Sequence, residues 1–147
     1  MKKSRHNNAL LKNKIYNYLL RNGHKKTCEK ILLKSIKLIQ KFSDKNEKDL
    51  IKQTIVNNAP ILQVKQIKRK RKKLKEFPFI ITRKIRIFFA IKLILETSKQ
   101  KLSRNFANKL KQEILLSANS SGEGIKEKKA IQEHALKLKK YAHYRWT

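Results

Sequence analysis

Apolar residues along this chain recur at helical spacing in several separate stretches, interrupted once by a segment with a different period. Leu11, Ile15, Tyr18 and Leu19 make one stripe and predict a helix that ends at Asn22-Gly23. A second helix starts near Lys26-Thr27, with Thr27 placed as an N-cap, and presents Cys28, Ile31, Leu32, Ser35, Leu38, Ile39 and Phe42 on its inner face. The stretch 43–47 offers cap residues for a third helix carrying Leu50, Ile51 and Ile55. That helix stops at Asn57-Asn58-Ala59-Pro60, because proline disfavours a helical residue before it. Helical period returns over Arg83–Ser98, with Ile87, Ile91, Ile94 and Leu95 inward and Lys84 and Lys92 outward. A fifth helix, capped by Ser103, carries Phe106, Ala107, Leu110, Ile114 and Ala118 up to Asn119-Ser120-Ser121-Gly122. A sixth, from Gly124 to Ala142, has the weaker stripe Ile125, Ile131, Ala135 and Leu138.

Between the third and fourth helices the pattern alternates. Ile61-Leu62-Gln63-Val64-Lys65-Gln66-Ile67 is rich in β-branched residues, and Phe77-Pro78-Phe79-Ile80-Ile81 is a short apolar run whose proline suits an edge strand. Together they predict a two-stranded ribbon at about residues 61–82, with the run 68–75 at its tip. The fold class is therefore all-α with one β-ribbon. The domain organisation is a flexible basic arm over 1–10, then a single helical domain over 11–147.

Charge changes the picture more than any motif. The 147 residues hold 39 Lys and Arg against 10 Asp and Glu, a formal net charge of +29, yet 39% of residues are hydrophobic. So much like charge repels itself in a compact state unless a polyanion neutralises it. A folded helical protein with this surplus points to a nucleic-acid partner held largely through phosphate. The skew to 31 Lys, 17 Ile and 11 Asn, against 8 Arg, fits an AT-rich genome, so the choice of Lys over Arg says little about chemistry. No apolar run reaches the roughly 18 residues of a membrane span, and Ile85–Leu95 is interrupted by Arg86 and Lys92. The opening Met-Lys-Lys-Ser-Arg-His lacks the apolar region of a secretory signal.

Catalytic signals are poor, and no enzyme activity, metal or cofactor is expected. Cys28 is the one cysteine; it forms no CxxC pair and reads as a buried structural thiol. His6, His24, His134 and His143 share no metal-ligand spacing with it. Glu29, Glu96, Glu113 and Glu133 lie singly in helices and read as intrahelical partners of Lys or Arg. Three glycines cannot supply a phosphate-binding loop. Two features remain. The run Lys68, Arg69, Lys70, Arg71, Lys72, Lys73 and Lys75 fits a solvated loop, a localisation-like patch or a finger laid on a nucleic-acid backbone, the last favoured by its place at a hairpin tip. The ending Tyr141-Ala142-His143-Tyr144-Arg145-Trp146 interleaves aromatics with cations; it suits either stacking on splayed RNA bases or packing of the tail against the bundle.

At these residues the chain resembles the small-subunit ribosomal protein 7 family. Ala142-His143-Tyr144-Arg145-Trp146 is similar to the family's terminal A-H-Y-R-W. Ahead of it, Ala118-Asn119-Ser120-Ser121-Gly122 resembles A-N-N-x-G at a spacing that needs no gap, and Phe106-Ala107-Asn108-Lys109-Leu110 resembles L-A-N-E-L. Leu20-Arg21-Asn22-Gly23-His24-Lys25-Lys26 resembles M-x-x-G-K-K. Ala59-Pro60-Ile61-Leu62-Gln63-Val64-Lys65 resembles K-P-x-x-E-V-K, and Phe77-Pro78-Phe79 resembles V-P-V. The ordered set covers residues 15–146.

The resemblance implies a six-helix bundle with a protruding β-ribbon. It also implies an assembly protein that binds the 3′ major domain of small-subunit rRNA and organises the subunit head. Neighbouring ribosomal proteins would be partners, the ribbon would lie near the exit-site tRNA and the mRNA path, and no membrane would be involved. By position, Lys25, Lys26, the ribbon cations Lys65 to Lys75, and Arg83, Lys84 and Arg86 would contact rRNA, joined by His143, Tyr144, Arg145 and Trp146. The chain departs from the family at several points. Its ribbon tip is Lys68–Lys73 where glycines are usual, Lys129-Ala130-Ile131-Gln132 replaces an acidic-Thr-His stretch, the loop between the fourth and fifth helices is short, and the Pro-Asp-Pro-x-Tyr lead-in is missing. Together with the Lys/Ile/Asn bias, these departures imply a mitochondrial member, with a plastid or bacterial cytoplasmic one as the alternative. The rival reading is a general basic DNA- or RNA-binding helical protein outside the ribosome. A major-groove reader would need an outward Arg, Asn or Gln face on one helix, and a membrane-surface protein one self-sufficient amphipathic helix; neither stands out.

Overall fold

The computed structural model describes residues 2–20, 22–43, 46–67 and 75–146, with residues 2–10 and 144–146 described by their backbone alone. Six α-helices and one antiparallel hairpin follow in the order α1 (Lys2–Leu19), α2 (Lys25–Phe42), α3 (Glu47–Asn58), β1 (Leu62–Ile67), β2 (Lys75–Ile80), α4 (Arg83–Gln100), α5 (Phe106–Ala118) and α6 (Glu123–Lys137). A final 3₁₀ segment runs over Lys139–Trp146. The helices and the ribbon expected from the hydrophobic pattern are all present.

α5 is the hub of the bundle and packs against α2, α3, α4 and α6. Its stripe of Leu110, Ile114 and Ala118 meets Ile39 of α2, Leu50 and Ile55 of α3, and Ile91 and Ile94 of α4, with Ile15 of α1 completing the core. Ile39, Ile91 and Leu110 are almost fully removed from water, each worth roughly 1.5–3 kcal/mol of burial. Cys28 is buried, and its thiol donates to the Leu19 carbonyl at 3.3 Å, as a structural cysteine should.

The boundaries correct several expectations. α1 begins at Lys2, so the backbone over 2–10, where a basic arm is expected, takes helical geometry; no Gly or Pro occurs there to stop helical propagation. Its end is as expected: Asn22 (φ 50°) and Gly23 (φ 74°) both take the left-handed region that reverses the chain. Thr27 is inside α2, whose N-cap position is His24, and Asn105 rather than Ser103 precedes α5; neither His24 nor Asn105 makes a side-chain cap bond. α6 ends at Lys137 rather than Ala142. The chain then tightens into a 3₁₀ turn, with Tyr141 N donating to Leu138 O at 2.9 Å, and this segment packs on β2.

Glu113 is the largest departure. It is not a surface partner within its helix but is wholly buried. Lys101 Nζ lies 2.9 Å from its Oε2, while Ser117 Oγ (2.9 Å) and Gly124 N (3.2 Å) donate to its Oε1. One carboxylate thus ties the α4–α5 loop, α5 and the start of α6 together. A polar seam continues the link to α3. Asn57 Nδ2 donates to the carbonyls of Ser117 (2.9 Å) and Ala118 (3.2 Å), satisfying the free end of α5. Lys128 Nζ of α6 donates to Asn57 O at 2.7 Å and does the same for α3.

Candidate nucleic-acid interface

The ribbon is anchored at its base and by α6. β1 and β2 pair so that Leu62 lies opposite Ile80, Lys65 opposite Phe77 and Ile67 opposite Lys75, and Ile81 N donates to Ile61 O to extend the ladder toward the bundle. Phe77 and Pro78, adjacent in β2, point to opposite faces and are both buried, so the ribbon is covered on two sides near its middle. Pro78 costs little because both strands of a two-stranded ribbon are edges. Farther out, Gln66 Nε2 donates to Glu76 Oε1 (2.8 Å) and His134 Nε2 of α6 lies 2.9 Å from Glu76 Oε2. The bond from Gln66, with those from His134, holds the Glu76 carboxyl below its usual range. The acid of this basic ribbon thus has Gln66 and His134 as partners, and Lys65 and Lys75 are exposed on the strands. Lys65 Nζ stands 4.7 Å from the Phe79 ring centroid, which fixes its ammonium over the strand surface.

The other cations form two groups at opposite ends of α4. Arg83 and Lys84 are exposed in its first turn beside the ribbon base. Arg86 is half-buried there, its Nε donating to Pro60 O at 3.2 Å, so it braces the chain's entry into β1 as well as adding charge. Lys25 and Lys26 are exposed in the first turn of α2. Their neighbours His24 and Thr27 share a cleft with Leu95 and Lys99, near the end of α4. The sixteen steps along the helix from Arg83 to Lys99 span about 24 Å at helical rise, so the structure does not bring the two groups together. His143 is exposed in the 3₁₀ segment, Tyr141 is half-buried against the ribbon, and the backbone of 144–146 continues the same turn. Lys68, Arg69, Lys70, Arg71, Lys72 and Lys73 lie outside the described residues, as do the side chains of Tyr144, Arg145 and Trp146.

The helix starts differ in their electrostatics. α3 begins conventionally, with the Asn46 side chain accepting from Lys48 N and Glu47 and Asp49 in the first turn. α2 and α4 begin the other way round: neither has a side-chain cap bond or an acid in its first turn, and both open on basic residues. Cations against the positive end of a helix dipole cost about 0.3–1 kcal/mol each. The same free N–H groups and cations are complementary to a bound anion. Two further residues shape this surface without any mark in the sequence. His134, which has no metal-ligand spacing, closes the ribbon against α6. Asn57, at a helix stop, bonds the end of α5. Neither has a local signal, because each partner is about 60 residues away in the chain.

Among the described residues no group of three His, Cys, Asp or Glu could hold a metal, and Glu113 and Glu96 are engaged by Ser117 and Lys92. No helix among the described residues is long and apolar enough to cross a membrane. The sequence profile of the family described as "Ribosomal protein S7p/S5e" matches residues 1–139. The chain belongs to that family. Its relatives include small ribosomal subunit protein uS7m of Drosophila melanogaster, 31% identical over 92% of this chain and 69% of that one. Small ribosomal subunit protein uS7m of Reclinomonas americana is 30% identical over 95% and 86%, and small ribosomal subunit protein uS7c of Euglena gracilis is 27% identical over 95% and 88%. As a member of the S7p/S5e family the chain is a structural, non-enzymatic protein of the small ribosomal subunit, and its partners are of the ribosomal kind, rRNA and ribosomal proteins.

Proposed function

We propose that this protein binds the 3′ major domain of small-subunit rRNA and helps to assemble the subunit head. Its ribbon would lie toward the exit-site tRNA and the mRNA path. The observation that carries the reading is the inverted electrostatics of α2 and α4, whose uncapped starts hold Lys25, Lys26, Arg83, Lys84 and Arg86 with no acid among them. Phosphates at those positions relieve the repulsion and satisfy the free N–H groups at once. The separation of about 24 Å along α4 makes the footprint a broad one, bridging at least two segments of folded RNA, as suits a protein that organises a domain. Lys65 and Lys75 extend it along the strands, and His143 belongs to the 3₁₀ segment that packs on β2; the reading adds to this footprint the run Lys68–Lys73 and Tyr144, Arg145 and Trp146. Recognition is mainly of backbone and shape.

The relatives named mitochondrial, with the Lys/Ile/Asn bias, support a place in the mitochondrial ribosome. The Euglena chloroplast relative makes the plastid the second reading. The test is a salt titration of binding to a transcribed rRNA head-domain fragment. With six to ten phosphates neutralised, affinity falls about 10³–10⁵-fold between 50 and 200 mM salt. Lys68→Glu with Arg69→Glu and Arg71→Glu lowers affinity and reduces the salt slope by roughly 0.9 for each phosphate no longer neutralised. Affinity of the triple variant equal to wild type at 150 mM salt would refute the ribbon's part in binding. Crosslinking in organelle lysate followed by RNA sequencing then names the compartment from the rRNA recovered.

A further inference from the structure

A cleft of about 290 Å³ opens where the start of α2 meets α1 and the end of α4. Its floor is apolar, made by Leu19, Cys28, Ile31 and Leu95, and two aromatic rings, Tyr18 and Phe106, stand in its walls. His24, Thr27 and Lys99 complete the lining, and among the described residues no acid contributes to it. Cys28 spends its thiol hydrogen on Leu19 O, which leaves the floor without a free donor at that point. Tyr18 is 43% exposed, and its ring is steadied by Phe88 at 5.0 Å between centroids, tilted by 55°. The loop from Lys101 to Asn105 joins Lys99 to Phe106 and therefore borders the cleft; it brings the exposed Arg104. Lys25 and Lys26 flank it on the other side, between His24 and Thr27 in the chain.

We propose that this cleft receives one unstacked RNA base, with the adjoining phosphates held by Lys99 and the Lys25–Lys26 pair. The proposal rests on the rRNA-binding reading and adds to it a site of a different kind, a stacking pocket rather than a phosphate clamp. Three properties of the cleft choose the occupant. Its volume is at the bottom of the roughly 300–1,000 Å³ range of small-ligand pockets, enough for one flat heterocycle. Aromatic walls over an apolar floor are what splayed bases stack on. A rim with cations and no acid complements a ligand that carries its negative charge next to its ring, which a nucleotide does and an apolar protein side chain does not.

The experiment uses the full chain and the transcribed rRNA head-domain fragment. Thr27→Trp, at an exposed rim position, fills the cleft without touching the core, and Tyr18→Ala removes an exposed wall ring. Each lowers affinity by about 5- to 150-fold, the value of one stacked base, with the salt slope unchanged because every phosphate remains neutralised. Lys99→Gln instead reduces the slope by about 1. Circular dichroism verifies that each variant is folded. A 4-thiouridine-substituted fragment crosslinks to the peptide containing Tyr18 or Phe106 in wild type and loses that crosslink in Thr27→Trp. If wild type binds the fragment and both folded cleft variants bind it equally well, the pocket proposal fails while the rRNA reading stands. If wild type does not bind the fragment, the underlying reading fails first. If Thr27→Trp spares RNA binding but blocks addition of a ribosomal protein during subunit reconstitution, the cleft holds a protein side chain and the proposal is overturned.

Discussion

Replacing Glu113 by alanine should be among the most damaging single changes in this protein, although the sequence alone ranks it as a minor surface acid. The carboxylate is fully buried and the Lys101 side chain only 12% exposed, with 2.9 Å between the charged atoms. Removing the acid leaves a largely desolvated ammonium without a partner, which costs about 3–5 kcal/mol. It also orphans Gly124 N and frees the Ser117 hydroxyl. For a chain of this size each kcal/mol lowers the Tm by roughly 2–4 °C, so a fall of about 6–20 °C is expected. Glu113→Gln keeps an acceptor for Gly124 N but not the charge, and should lose less. The decisive comparison is Glu113→Leu with Lys101→Met. Taking both charges away together removes the unpaired ion, so the double variant should be more stable than Glu113→Leu alone, with a coupling of at least about 1 kcal/mol. The assay is urea unfolding followed by circular dichroism, in salt sufficient to screen the +29 charge. A loss below about 0.5 kcal/mol for Glu113→Ala, the size of an ordinary pair within one helix, would refute the argument that this carboxylate joins three elements.

Other consequences follow from the same geometry. Gly124→Ala would bring its Cβ to 2.5 Å from Asn58 Oδ1. Asn58 is buried and bonded to Thr54 O, so it cannot yield freely, and overpacking of about 1–3 kcal/mol should outweigh the helix-propensity gain of about 1; a Tm at or above wild type would contradict this. Glu76 has its pKa lowered from 4.5 by Gln66 and then His134, so the stability it contributes is present above pH 4.5 and is lost as pH falls through its folded value. The urea midpoint of wild type should drop more steeply with acid than that of Glu76→Gln, and equal slopes would count against the ribbon–α6 clasp. Glu127 has its pKa raised, first by burial and then by Glu96, Glu113 and Glu123. Its favourable contribution is complete below pH 4.5 and is lost as pH rises through the raised value, so Glu127→Gln should stabilise at neutral pH by about a few tenths of a kcal/mol and the gain should vanish in acid. A destabilised Glu127→Gln at neutral pH would show that the carboxylate has a cationic partner after all.

What is legible in the sequence is whatever repeats locally. Stripes such as Ile87, Ile91, Ile94 and Leu95 identify a helix and its inner face, because the period of 3.6 is a property of neighbouring residues. Asn22-Gly23 and Pro60 mark ends through their own backbone preferences. The ribbon is readable from the change of period, and the terminal motif points to the family without any knowledge of the fold. Boundaries are less secure. α1 extends back to Lys2 because nothing in 2–10 breaks a helix, while α6 stops early because the following residues pack on β2 in a tighter turn.

Charge shows most clearly how the two levels divide. The sequence by itself determined that the protein carries +29, a self-repulsion that favours a polyanionic partner, and that its apolar residues suffice for one helical core. Only the tertiary structure decided which charges are spoken for. Glu113 reads like Glu96 in the sequence, yet one is sealed in the core with Lys101 and the other sits at the surface beside Lys92. Arg86 reads like Arg83, yet its guanidinium is turned to Pro60 O. Lys25 and Arg83 are equivalent cations in the sequence and stand at opposite ends of α4. The reason is physical: hydrophobic periodicity is set by residues a turn apart, whereas an ion's environment is set by whichever distant segments fold against it.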